Sequence, residues 1–311
     1  MSGESTPTDP RLAMTLCGIQ LRNPVLAASG TFAYGLEFAS LVDLNALGGL
    51  VVKGLSREPI EGNPPPRLIE ATDGMINSVG LQNIGVRAFA AEKLPGLAKL
   101  QTAVFANVFG YQADDYAEVV RVLEDHPGLA GYELNVSCPN TRHGGIYFSS
   151  DPALLGEVVT AVKRVAHRPV MVKLSPNVSA IEPLARAAEE NGADAISLVN
   201  TFISLAIDAH TRRPRIGAGF GGLSGPAIKP IALRLVYQAA HAVKIPVVGL
   251  GGIASGTDAA EFLIAGARAV EVGTATFWDP RAPLRIAREL ARFVTNEKLP
   301  DVSYLMNTLK I

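Results

Sequence analysis

The sequence predicts a closed (β/α)8 barrel forming one domain over residues 1–311. Three observations lead there. Short runs rich in Val, Ile and Leu recur eight times, as strands of a parallel sheet covered on both faces require. Helix-length amphipathic stretches lie between them, which makes the repeating unit βα. No linker or shift in composition divides the chain, and barrels of this kind use about 250 residues in one domain. An open doubly wound sheet would use the same units, but eight evenly spaced ones favour closure.

The elements follow in order. Residues 1–10 are polar and contain two prolines, so a flexible tail is expected over residues 1–14. Leu12–Leu21, with Gly18 between two short apolar stretches, reads as a small hairpin plugging the barrel bottom. The strands are Pro24–Ser29, Gly49–Gly54, Ala103–Asn107, Tyr132–Ser137, Val170–Leu174, Ala195–Asn200, Pro246–Leu250 and Ala269–Gly273. Helical patterns occupy Asp114–Asp125, Asp151–Ala166, Ala180–Asn191 and Pro226–Ala242. Asp151 before Pro152, and Ser179, are capping-type residues, and Gly192 stands where a helix ends in a left-handed residue. Two connections, residues 55–84 and 201–225, exceed ordinary loop lengths. Both follow strand C-termini, where barrel enzymes place chemistry and lids. Gly217, Gly219 and Gly222 fit G-x-G-x-x-G, but no strand precedes them and Pro226 delays the next helix. The stretch therefore reads as a flexible lid rather than a dinucleotide fingerprint.

Composition removes several function classes. With 28 Lys and Arg against 29 Asp and Glu, the net charge of −1 gives no electrostatic case for nucleic acid or an anionic membrane. Two cysteines cannot form a four-thiolate metal or iron–sulfur site, and the five histidines are scattered without a metal-binding spacing, so no metal is expected. The apolar runs are too short to span a bilayer, and the N-terminus lacks an apolar signal segment, so a cytoplasmic enzyme is expected.

The residues that end the strands carry the functional signal. Ser29, Lys53, Asn107, Asn135, Lys173, Asn200 and the pair Gly251-Gly252 stand at or just past strand C-termini, which a barrel gathers at one mouth. Any one asparagine there is explained by a loop hydrogen bond. Polar groups on almost every strand are not explained by packing. Amide side chains both donate and accept, which suits a planar heterocycle with alternating N–H and C=O groups, such as a flavin or a pyrimidine. The glycine turns at Gly251-Gly252 and Gly273-Thr274 follow the last two strands, the usual phosphate site of a barrel. Lys53 and Lys173 interrupt apolar strand ends; surface snorkelling is the plain alternative, and Schiff-base chemistry in a flavin-free aldolase or isomerase barrel is the competing functional one. Cys17 reads as an inert buried thiol. Cys138, just past the fourth strand on the catalytic face, is a candidate base.

At these residues the chain resembles the dihydroorotate dehydrogenases. The resemblance rests on Ala28-Ser29-Gly30-Thr31-Phe32, Val52-Lys53-Gly54, Asn77-Ser78-Val79-Gly80-Leu81-Gln82-Asn83 and Asn135-Val136-Ser137-Cys138-Pro139-Asn140. It continues through Val172-Lys173-Leu174-Ser175-Pro176, Val199-Asn200-Thr201, Gly222-Leu223-Ser224-Gly225-Pro226-Ala227, Gly251-Gly252-Ile253 and Gly273-Thr274. It implies a TIM barrel with one FMN per chain that oxidises dihydroorotate to orotate in pyrimidine biosynthesis. By the resemblance, Cys138 removes the C5 proton while the C6 hydride passes to flavin N5. Lys53 neutralises the substrate carboxylate and contacts the flavin. Asn77, Asn135, Asn200 and Thr201 hold the pyrimidine flat, with Ser78, Val79, Gly80 and Leu81 closing one side. Lys173 sits near flavin N1 and O2, where a cation favours the anionic reduced form. Ser29, Gly54, Asn107, Asn135, Val199, Gly225, Gly251, Gly252, Gly273 and Thr274 bind FMN, the last four of these taking its phosphate.

Cysteine at the base position is similar to the class 1 enzymes, whereas serine marks the membrane-attached class. Asn140-Thr141-Arg142-His143-Gly144-Gly145 and Leu16-Cys17-Gly18-Ile19 are similar to the NAD-linked class 1B catalytic subunit. That class implies an electron-transfer partner carrying FAD and a 2Fe–2S cluster, in a heterotetramer built on a homodimer of this chain. The alternatives are a fumarate-reducing class 1A enzyme and other flavin barrels acting on pyrimidines, dihydropyrimidine dehydrogenase-like or dihydrouridine synthase-like. A further alternative is a scaffold that only holds a reductase partner.

Overall fold

A computed structural model describes residues 9–137, 148 and 150–311. Its centre is a closed parallel barrel of β1 (Val25–Ala27), β2 (Gly49–Leu55), β3 (Ala103–Val108), β4 (Gly131–Asn135), β5 (Val170–Lys173), β6 (Ala195–Leu198), β7 (Val247–Leu250) and β8 (Ala269–Val272). Each strand pairs with the next in sequence, and β8 pairs with β1 through Glu271↔Leu26.

Side chains alternate across the barrel wall. Val25, Val52, Tyr132, Val172, Ile196 and Val270 point outward and are buried under the helices. Leu26, Val51, Phe105, Met171, Val248 and Ala269 point inward and form a separate apolar plug at the barrel bottom. The outer ring includes helices Ala113–Glu124, Pro152–Lys163, Glu182–Glu190, Lys229–Ala242, Gly256–Ile264 and Ala282–Asn296. Asp151 caps Pro152–Lys163 by accepting from the Ala153 N–H at 2.8 Å. Ser179 does not cap; Ile181 takes the N-cap position of Glu182–Glu190. The units are also less uniform than predicted. Between β1 and β2, short 3-10 turns at Leu36–Phe38 and Leu44–Ala46 replace a helix, the second started by Asp43 accepting from the Asn45 N–H.

The hairpin Met14–Leu16 and Ile19–Leu21 seals the bottom, its Leu16 and Leu21 packing into the inward apolar plug. Cys17 and Gly18 both have positive φ, the requirement of the tight hairpin turn whose twist matches the strands. The flexible tail predicted for residues 1–14 does not hold for the described part. Asp9 caps the turn Pro10–Leu12, Leu12 is buried, and Arg11 reaches Thr295, because the turn packs against the last helix. The Cys17 thiol donates to the Asp194 carbonyl at 3.3 Å. Burial, and then the Asp194 charge, push this thiol up to about 11. Native protein is therefore expected to leave Cys17 unlabelled by an alkylating reagent near neutral pH, and unfolded protein to label it fully. Peptide mapping checks this; fast native labelling would contradict the burial.

The two long connections meet over the mouth. Phe202–Ser204, Gly221–Ser224, Gly74–Asn77 and Leu68–Ala71 form one antiparallel sheet in that order. The stretch predicted as a flexible lid is thus a strand-paired canopy, with a further small pair at Ile207–Asp208 and Arg213–Pro214. The correction is physical. Pairing with residues some 145 positions away supplies hydrogen bonds that a glycine-rich loop lacks on its own.

Candidate active site

A cavity of about 1960 Å³ lies between the C-terminal ends of the strands and the canopy. Every predicted site residue that the structure describes lines it. From the strand ends come Ser29, Lys53, Gly54, Asn107, Asn135, Lys173, Val199, Asn200 and Thr201. Asn77, Ser78, Val79, Gly80 and Leu81 line it from the residue 55–84 connection. Gly225, Gly251, Gly252, Gly273 and Thr274 complete it on the side of the last strands. Cys138 lies outside the described residues.

Local structure explains how several reach the cavity. The pairing of β2 with β3 shifts register between Val52 and Leu55, and this irregularity turns Lys53 into the mouth. Gly54 is required beside it, since a Cβ there would stand 2.8 Å from Asn107 Oδ1. Asn200 Nδ2 donates to Ser137 Oγ at 2.5 Å and to Asn135 Oδ1 at 3.3 Å, while Ser137 Oγ donates to the same oxygen at 2.7 Å. These bonds fix two amide planes relative to each other across the end of β5. Asn77 Nδ2 is tied to the Gly222 carbonyl of the canopy at 3.2 Å.

Two cations face the cavity without a counter-charge. Among the described residues, neither Lys53 nor Arg67 has a carboxylate within ion-pair distance; Arg67 donates instead to Gln82 Oε1 at 2.8 Å. Burial, and next the nearby Arg67 guanidinium, hold the Lys53 ammonium below the usual lysine range. Unpaired, partly desolvated cations are costly, and an anionic ligand relieves that cost. At the opposite side, Gly252 has φ +84, and a Cβ there would stand 2.8 Å from the Gly225 carbonyl. The Thr274 hydroxyl donates to Ser224 Oγ at 2.8 Å beside it. Backbone exposed in this way, flanked by hydroxyls, suits a phosphate group.

The floor of the cavity holds a cluster that the sequence reading missed. Lys173 Nζ, almost fully buried, donates to Glu133 Oε1 at 3.3 Å, Glu271 Oε2 at 3.2 Å and Ser29 Oγ at 3.3 Å. Glu133 also accepts from Asn107 at 2.6 Å and Ser197 at 2.8 Å. Burial alone would raise Glu133, but the Lys173 charge and these hydrogen bonds hold it below the usual carboxylate range. Burial would likewise lower Lys173, but Glu133 and Glu271 hold it above the usual lysine range. Single acids inside apolar strands, Tyr132-Glu133-Leu134 and Val270-Glu271-Val272, were the available signal.

Comparison with known proteins is decisive for the family. The family model described as dihydroorotate dehydrogenase matches residues 11–294. The chain belongs to this family. It is 80% identical over 301 residues to a Solibacter usitatus protein provisionally named dihydroorotate dehydrogenase A (fumarate), covering 97% of this chain and 99% of that one. It is 51% identical over 302 residues to the protein of Geobacter metallireducens named dihydroorotate dehydrogenase B (NAD(+)), catalytic subunit, and 49% identical to that of Citrifermentans bemidjiense, with the same coverage. The chain is therefore an oxidoreductase of this family, and the cavity described above lies at the mouth of its barrel. Among the described residues no group of three His, Cys, Asp or Glu is placed to hold a metal ion, and no helix is long and apolar enough to cross a membrane.

Proposed function

We propose that this chain binds FMN in the cavity and oxidises dihydroorotate to orotate. The observation that carries the reading is the pairing of two uncompensated cations, Lys53 and Arg67, with a wall of fixed amides at one side of the cavity and a glycine cradle at the other. A planar pyrimidine bearing a carboxylate fits the first side. A flavin phosphate fits the second. The flavin supplies the hydride acceptor; the protein's part is positioning and charge.

Lys53 and Arg67 would hold the substrate carboxylate, and Asn77, Asn135, Asn200 and Thr201 its ring. Gly80 and Leu81, with Ser78 and Val79, would cover its exposed side. Removal of the C5 proton by Cys138 develops negative charge on the substrate, which amide donors aimed at its carbonyl stabilise. Lys173, rising from the floor, would place a cation under the pyrimidine side of the flavin, with Ser29, Gly54, Asn107 and Val199 around it. Gly251, Gly252, Gly273 and Thr274 would receive the phosphate, with Gly225 beside them.

Electrons would then leave to NAD through a partner subunit carrying FAD and a 2Fe–2S cluster, with both subunits in the cytoplasm. The names of the Geobacter and Citrifermentans relatives support this route, and that of the Solibacter relative supports fumarate as the second reading. One experiment separates them. The purified chain alone is mixed with dihydroorotate without oxygen and its flavin absorbance followed. Bleaching supports the reductive half-reaction, and a preparation that takes up no FMN overturns the flavin reading. Fast recovery of colour on adding fumarate would replace the NAD route; recovery with NAD only when the partner subunit is present would uphold it.

A further inference from the structure

The buried cluster under the cavity is one proton short of satisfying its hydrogen-bonding groups. Lys173 has three N–H donors, and all three are engaged, by Ser29, Glu133 and Glu271. Among the described residues Glu133 receives four donors: Lys173, Asn107 and Ser29 on Oε1, and Ser197 on Oε2. Among the described residues, Glu271 receives Lys173 on Oε2 alone, and its fully buried Oε1 receives no donor. A buried carboxylate oxygen without a donor is strongly disfavoured, the more so beside a second carboxylate. A proton on Glu271 removes both penalties, because a carboxyl O–H can donate to its neighbour.

We infer that Glu271 is a neutral carboxylic acid donating to Glu133, and that it acts as a positioning residue for the Lys173 ammonium. The cluster then carries one positive charge on Lys173 and one negative charge on Glu133, with no net charge beneath the cavity. With both acids ionised it would be net negative where an anionic reduced flavin must be tolerated. Burial, and then the Glu133 charge, act on Glu271 in the same direction and hold its carboxyl well above the usual range. Glu133 on β4 and Lys173 on β5 are the charged groups acting on it among the described residues; Ser29, Asn107 and Ser197 complete the cluster as neutral groups.

The protonation of Glu271 follows from the cluster's own groups, whereas its consequence for reduced flavin rests on the function proposed above. The test therefore starts with the apoprotein. Infrared difference spectra at neutral pH should show the C=O band of a buried protonated carboxyl in the wild type, missing from E271Q. Stability supplies the second readout. A raised folded-state value means that stability present below the unfolded value near ~4.3 is lost as pH rises toward the folded one. Glutamine escapes that loss. The folding equilibrium of E271Q should therefore gain on the wild type about tenfold per pH unit through this window. No wild-type band, or a stability difference that is flat with pH, overturns the inference. If E271Q fails to fold, absence of the band in the wild type still decides against it. For the holoenzyme, E271A should lower FMN affinity and shift the flavin potential, and E271Q should restore both. Equal loss in the two variants would reject the positioning role, and absent flavin binding with an intact band would fault the functional reading alone.

Discussion

Lys173→Ala is expected to destabilise the apoprotein by about 3–5 kcal/mol, the usual cost of leaving a buried charge without its partner. The variant strips the counter-charge from Glu133, which stays sealed between β4 and its neighbours. The effect should depend on pH in a defined direction. In the wild type, Glu133 is held below its ordinary value and contributes stability above the unfolded value that is lost in acid. In the variant, that carboxyl rises and instead costs stability as pH increases. The difference between the two proteins should shrink toward about pH 4 and be largest near neutrality. Denaturant titration at two pH values checks it. The same variant should hold less FMN, measured by flavin absorbance per chain after desalting. Unchanged stability, flavin content and flavin potential would reduce Lys173 to a bystander.

Cys138→Ala should keep bound flavin and lose most turnover. A positioned general base contributes about 10²–10⁴ in rate, and no other thiol is available, since Cys17 is fixed at the barrel bottom, away from the cavity. Anaerobic stopped-flow reduction by dihydroorotate measures the relevant step directly. A rate equal to wild type would remove Cys138 from the base role, while loss of flavin would make it a binding residue instead.

The strand ends were legible because the signal is local. A polar residue closing an apolar run, as in Val51-Val52-Lys53 or Val172-Lys173, marks a mouth position whatever the rest of the chain does. The glycine pairs were legible for the same reason. The hairpin and its place at the barrel bottom followed from Gly18 between two apolar stretches, and the packing of Leu16 and Leu21 shows which side chains make the seal. The canopy was not legible, since a glycine-rich stretch shows no strand pattern until Gly222 meets Asn77. Glu133 and Glu271 were passed over because a lone acid in a strand has no partner in view.

From the sequence by itself came the eight strands, their burial on both faces and the residues that crown them, all consequences of residue chemistry within short windows. Tertiary structure alone decided which of those residues share a level and a charge. Lys173 meets Glu133 across 40 residues and Glu271 across 98, and closing the barrel sets their heights through the register of each strand pair. Once water is excluded there, the pairing of one cation with two acids ceases to be a surface detail and becomes a constraint on protonation.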